Sequence, residues 1–157
     1  MTRGKWLLTM LVAAAVAVWT LSVARAQGYG GVLVKSREKA LRLKCMNNLK
    51  QIHLAMVMYR NDHDDDYPPT LQALIKGKYI TRKVLECPGK RSKVKNRVDY
   101  GLVRTAKRKL KNDDILVYDR KGNHTDGRNV LLVDGQVLWL KEADFRKRMG
   151  NEPYDAE

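Results

Sequence analysis

At 157 residues the chain is long enough for one domain and short for two. Its formal charge of +14 sets it towards anionic surroundings. Two cysteines with no Cys-x-x-Cys exclude a disulfide-dense scaffold and on their own are too few for a structural zinc site.

Residues 1–26 read as a targeting segment. Arg3 and Lys5 form a short basic start, Trp6 to Val23 is an uncharged and mostly apolar run, and Ala24-Arg25-Ala26 puts small residues at the two positions a signal peptidase reads. Eighteen residues at helical rise span about 27 Å, roughly one hydrocarbon core. Length favours a retained membrane anchor, and the Ala-x-Ala site favours cleavage to leave Gln27 first. Both place the remaining chain outside the cytoplasm, in the cell envelope. In that oxidising compartment Cys45 and Cys87 are candidates for a disulfide, which the chain-entropy model makes worth about 4 kcal/mol. Two buried free thiols are the alternative.

Gly28, Gly30 and Gly31 predict a flexible joint or helix break. From Val32 to about Asn61 the pattern turns helical: Leu41, Cys45, Asn48 with Leu49, Ile52, Met56 and Tyr59 recur at spacings of three and four. Tyr67-Pro68-Pro69 rules out continuation, because proline lacks the N–H and restricts its predecessor. Thr70 is an N-cap for a short helix from Leu71 to about Ile75, closed by Gly77. Strands follow. Val84–Pro88 is a short extended piece, and Arg97–Val103, Ile115–Tyr118, Asn129–Val133 and Gln136–Leu140 are β-rich. Asp134-Gly135 between the last two predicts a hairpin with a type I′ turn. Glu142–Met149 reads as a terminal helix, and 151–157 as a flexible tail. Residues 27–150 therefore form one α+β domain, a long N-terminal helix packed on a small antiparallel sheet.

Three groups of residues are candidates for chemistry. Asp62, Asp64 and Asp66 offer oxygens at alternating spacing, suited to Ca2+, but the glycine and bidentate glutamate of an EF-type loop are missing. A solvated acidic helix end is the alternative. No other cofactor is implied. The stretch 76–111 holds fourteen Lys and Arg against Glu86 and Asp99. Within it Lys90, Arg91, Lys93, Lys95, Arg97, Lys107, Arg108, Lys109 and Lys111 form a candidate surface for an anionic polymer, nucleic acid or lipid head groups. His124 and Asp134 could be read as a catalytic pair, but the strand between them holds them about 17 Å apart, and neither has a nucleophile nearby in sequence. His124 is expected to bond loop backbone, and no catalysis is expected.

Cys45-Met46-Asn47-Asn48-Leu49-Lys50-Gln51-Ile52, followed by Tyr67-Pro68, resembles the helix of bacterial pilin-like (pseudopilin) proteins. Asn123, His124, Asn129, Asp134 and Gly135 match the His-x9-Asp-Gly signature of the prepilin-processing-associated group. The resemblance covers roughly 32–140. It implies a type II secretion or type IV pilus-like setting with other pilin-like subunits as partners, and no known activity. The Gly-Phe-Thr-Leu-Ile-Glu-like processing site of that family is missing here: Gly4 is followed by Lys5, and the family's early glutamate falls near Ala14.

Overall fold

The computed structural model describes residues 3–90, 97–103, 110–150 and 154, with side chains from residue 31 onward. The chain divides into two compact units, Met1–Arg37 and Glu38–Glu157. In the first, the backbone is helical from Arg3 as the start of helix α1 (Arg3–Asp62). The expected break at Gly28–Gly31 is not there. A glycine costs a helix interior only about 1 kcal/mol relative to alanine, and continuous hydrogen bonding on both sides tolerates that. Among the described residues, no helix is long and apolar enough to cross a membrane. The side chains of residues 1–26, the expected targeting segment, lie outside that description.

The second unit is α+β, as the pattern implied. Its elements are the C-terminal part of α1, then α2 (Leu71–Lys76), a 3-10 turn (Arg82–Leu85), strands β1 (Tyr100–Leu102), β2 (Ile115–Asp119), β3 (Gly127–Leu132) and β4 (Val137–Lys141), and helix α3 (Glu142–Met149). The strands form an antiparallel meander in the order β1-β2-β3-β4.

Each face of the sheet carries a helix. On one face the α1 stripe Cys45, Leu49, Ile52, Ala55 and Met56 packs with Leu71, Leu74, Leu85, Tyr100, Leu116, Val117 and Leu131. On the other, Phe145 and Met149 of α3 pack with Val103, Ile115, Tyr118, Val130 and Leu132. Alternation along β3 assigns Asn129 and Leu131 to the α1 face and Arg128, Val130 and Leu132 to the α3 face. In β2 the register shifts between Ile115 and Val117, so the neighbours Leu116 and Val117 both join the α1-side core.

Local signals mostly act as their chemistry dictates. The Thr70 hydroxyl accepts from Ala73 N at 3.3 Å and caps α2. Two readings change. The first half of Val84–Pro88 curls into the 3-10 turn, with Val84 N donating to Thr81 O. The β3–β4 turn has a positive φ only at Gly135, at 89°. Leu132 N donates to Gln136 O across it, so the turn is the longer glycine-bulge form rather than type I′.

Candidate functional site

A group of polar and thiol side chains lies buried on the α1 face of the sheet, between apolar core residues. It assembles from five places in the chain. Cys45 comes from the buried stripe of α1, where the helical period turns it inward. Cys87 follows the 3-10 turn. Its backbone N–H donates to Asp99 Oδ2 at 2.7 Å, which fixes the loop. Asp119 ends β2, Asn129 lies on β3, and His124 sits in the connection between those strands.

The sulfurs of Cys45 and Cys87 are 3.3 Å apart, against about 2.05 Å in a disulfide. Both cysteines are free thiols, fully or almost fully buried at 0 and 2 % exposure. In this structure the expected Cys45–Cys87 disulfide is not formed, and the two thiols instead share a hydrogen bond in which Cys45 donates to Cys87.

His124 also departs from expectation. Its imidazole is fully covered and, among the described residues, meets side chains and no loop backbone. Nδ1 meets Glu38 Oε1 of α1 at 3.0 Å, and Nε2 lies 3.5 Å from Asp119 Oδ2 and 4.0 Å from Cys87 Sγ. The fold thus brings a thiol to His124 that its sequence neighbourhood does not offer. Asp134, as expected, lies beyond β3, where its Oδ1 accepts from Gln136 N at 2.9 Å.

Electrostatics follow from this crowding. The hydrogen bond from Cys45 pulls the Cys87 pKa well below the usual thiol value; burial opposes it, and His124 adds to the lowering. The same bond, with burial, pushes the Cys45 thiol up. Burial disfavours charge on His124, but the bond to Cys87 and the charge of Asp119 outweigh it and raise its pKa. Burial raises Asp119 to about 6, although the backbone N–H of Asn129, His124 and the Asn129 amide all act to lower it.

Residues 35–74 match a family model described as a protein of unknown function (DUF1559). No curated protein and no solved structure matches the chain.

That matched segment contributes much of the site's frame. Asn48 Nδ2 donates to Glu86 O at 3.2 Å and to the Tyr100 hydroxyl at 3.1 Å, joining α1 to the loop before Cys87 and to β1. Leu49 is core, Lys50 is exposed, and Gln51 and Asn47 meet each other along the helix surface. Outside the segment, Asn123 Nδ2 donates to Asp99 O at 2.6 Å. Asn129 donates from its backbone and its amide to Asp119 Oδ2, at 2.9 and 2.7 Å. Asn48, Asn123 and Asn129 thus brace the surrounding loops and strands, while Asn47 is exposed.

The other candidates fare differently. Asp62 accepts from the Tyr79 hydroxyl at 2.7 Å, and Asp65 pairs with Arg60 at 2.6 Å. Asp64 and Asp65 sit at positive φ. These contacts meet part of the acidic helix end, and among the described residues Asp62, Asp64 and Asp66 do not converge as ligands. In the basic segment, Arg97 and Lys90 turn inward on Asp99, at 2.6 and 3.7 Å. Arg97 also donates to the carbonyls of Cys87 and Lys90. Lys111 is exposed. Arg91, Lys93, Lys95, Lys107, Arg108 and Lys109 lie outside the described residues. A cavity of about 570 Å³ opens beside Cys87, lined by Lys44, Asn48, Lys83, Glu86, Pro88 and Lys90 among others.

Proposed function

We propose that this chain is an exported, non-enzymatic, pilin-like protein of the cell envelope, structural or assembly-associated in a type II secretion or type IV pilus-like setting. The observation that carries this reading is the packing of the α1 stripe from Cys45 to Met56 on a four-stranded antiparallel meander, within a segment that matches the DUF1559 family model. The apolar residues 6–23 preceding it deliver the domain across the inner membrane and, where retained, tether it there. The mature chain meets other pilin-like subunits through its first helix.

Fractionation of native cells, with N-terminal sequencing of the mature protein, tests this. The protein is expected in the membrane or periplasmic fraction, beginning at Gln27 if cleaved and at the original start if tethered. Recovery in the cytosol with the leader intact overturns the reading.

One observation favours a second role, binding of an anionic polymer. Lys44, Lys83 and Lys90 line one cavity within or beside the basic stretch 76–111. Charge reversal at Lys107, Arg108 and Lys109 is expected to weaken DNA or anionic-vesicle binding and to flatten its salt dependence. Binding at low salt equal to that of a neutral control protein removes this role.

A further inference from the structure

We propose that Cys45, Cys87 and His124 form a binding site for a thiophilic metal ion of the Zn2+ class. The inference goes beyond the envelope role and does not depend on it. One donor atom from each of the three residues lies within 4.8 Å of the other two. The sulfurs are 3.3 Å apart, and Cys87 Sγ is 4.0 Å from His124 Nε2. Around a tetrahedral zinc, with bonds of roughly 2.3 Å to sulfur and 2.0 Å to nitrogen, donors stand roughly 3.5 to 3.8 Å apart. The observed separations bracket that range, so a small side-chain adjustment closes the shell.

The surroundings fit an ion as well as the donors do. Glu38 Oε1 takes the Nδ1 side of the imidazole at 3.0 Å. This is the carboxylate–histidine arrangement that fixes a ligating ring in metal sites and leaves the Nε2 lone pair free to bind. That lone pair then faces the Asp119 carboxylate at 3.5 Å as well as the thiol. A cation bound among these groups is met by the imidazole, the thiolates and the carboxylate together. Asp119 is fully buried, and its Oδ1 has no hydrogen-bond partner among the described residues. It supplies negative charge beside the site's remaining position. Two sulfurs and one imidazole select Zn2+ or Cu(I) over Ca2+ or Mg2+. The ion binds as the thiol protons leave to solvent. Cys87 also lines the cavity beside Pro88 and Lys90. Once bound, the metal keeps both thiols from pairing, since a disulfide and this site exclude each other.

The test uses the full-length chain, reduced and freed of metal under anaerobic conditions, then titrated with Co2+ and with Zn2+. One Co2+ per chain is expected, with near-ultraviolet thiolate-to-cobalt charge-transfer absorption that Zn2+ abolishes. Zn2+ should also raise the melting midpoint and protect Cys45 and Cys87 from alkylation, read by mass spectrometry on the unsubstituted protein. Cys87→Ser and His124→Gln should each weaken Co2+ binding at least tenfold, and Glu38→Gln by a smaller factor, as for a positioning residue. Asp62→Asn should change nothing. Should Cys87→Ser fail to fold, His124→Gln and the alkylation readout decide. The proposal is overturned by the absence of charge-transfer absorption when both thiols titrate as reduced. Unchanged binding in folded His124→Gln also overturns it, as does native protein that holds no metal and carries a Cys45–Cys87 disulfide.

Discussion

Glu38, near the start of the folded unit, holds His124 from 86 residues away, with Oε1 3.0 Å from Nδ1. The same oxygen accepts from Thr125 N at 3.4 Å. One carboxylate on α1 therefore ties down the β2–β3 connection. Glu38→Ala is expected to lower unfolding free energy by about 1 to 2 kcal/mol, the range for losing bonds to a charged acceptor in a partly exposed place. Limited proteolysis should find the 120–126 connection cut faster. Unchanged urea midpoint and cleavage rate would show that the tie is idle.

Asn129 meets Asp119 with two donors on one oxygen, and its amide also reaches Arg42 O at 3.3 Å. Asn129→Ala removes the amide bonds but keeps the backbone one. It should cost about 1 to 3 kcal/mol, because buried acceptors lose partners. Asn129→Asp should cost more, since it sets a second carboxylate against Asp119 where water cannot screen it. Urea denaturation at neutral pH measures both, and the predicted order, Asp worse than Ala, is what fails if the pair is solvated.

The helix stripe and the terminal helix were legible because each is a local period: Leu41 to Tyr59 repeats at three and four, and Glu142–Met149 forms as read. The polar cluster was not. Cys45 and Cys87 are 42 residues apart and Cys87 and His124 are 37 apart, and only the packing of α1 and the post-turn loop on the sheet brings them together. A signal was present in the strands. Asp119 closes the apolar run Ile115–Tyr118 and Asn129 opens the run Val130–Leu132. Polar residues at the ends of two buried strands, facing the same side, need partners, and the β2–β3 connection holds the histidine that meets one of them. The turn type was misread for a related reason. Asp-Gly is compatible with type I′, but the pairing of Leu132 with Gln136 sets the loop length and hence the bulge.

Gly135 sits at a φ of 89°, and a Cβ there would lie 2.6 Å from His53 Nε2. Gly135→Ala therefore meets two obstacles: a left-handed backbone, worth about 1 to 2 kcal/mol, and a collision with an α1 side chain. A double-mutant cycle separates them. His53→Ala should restore the steric part and leave the backbone part, so the double variant stays destabilised relative to His53→Ala alone. Full recovery in the double variant would show that the turn carries no backbone demand.

Arg128 is enclosed on the α3 face, its guanidinium 4.3 Å from the Phe145 ring centroid. Its charge is met by Glu142, with Nε and Nη2 at 2.8 and 2.9 Å from the two carboxylate oxygens. The fork-to-fork geometry is the strong form of this pair. These bonds and the charge of Arg128 hold the Glu142 pKa below its ordinary value, against a smaller effect of burial. A carboxyl group with a lower pKa in the fold than in the unfolded chain adds stability above its ordinary range. That stability is lost as pH falls through the range towards the folded value. Glu142→Gln should cost about 2 kcal/mol at pH 7, below the range for breaking a fully buried pair, because the Glu142 side chain is still 29 % exposed. The difference between wild type and Glu142→Gln should shrink as pH drops below about 4. Unfolding free energies measured from pH 7 to 3 check this. A gap that stays constant across that range would mean that Glu142 supports Arg128 by packing alone.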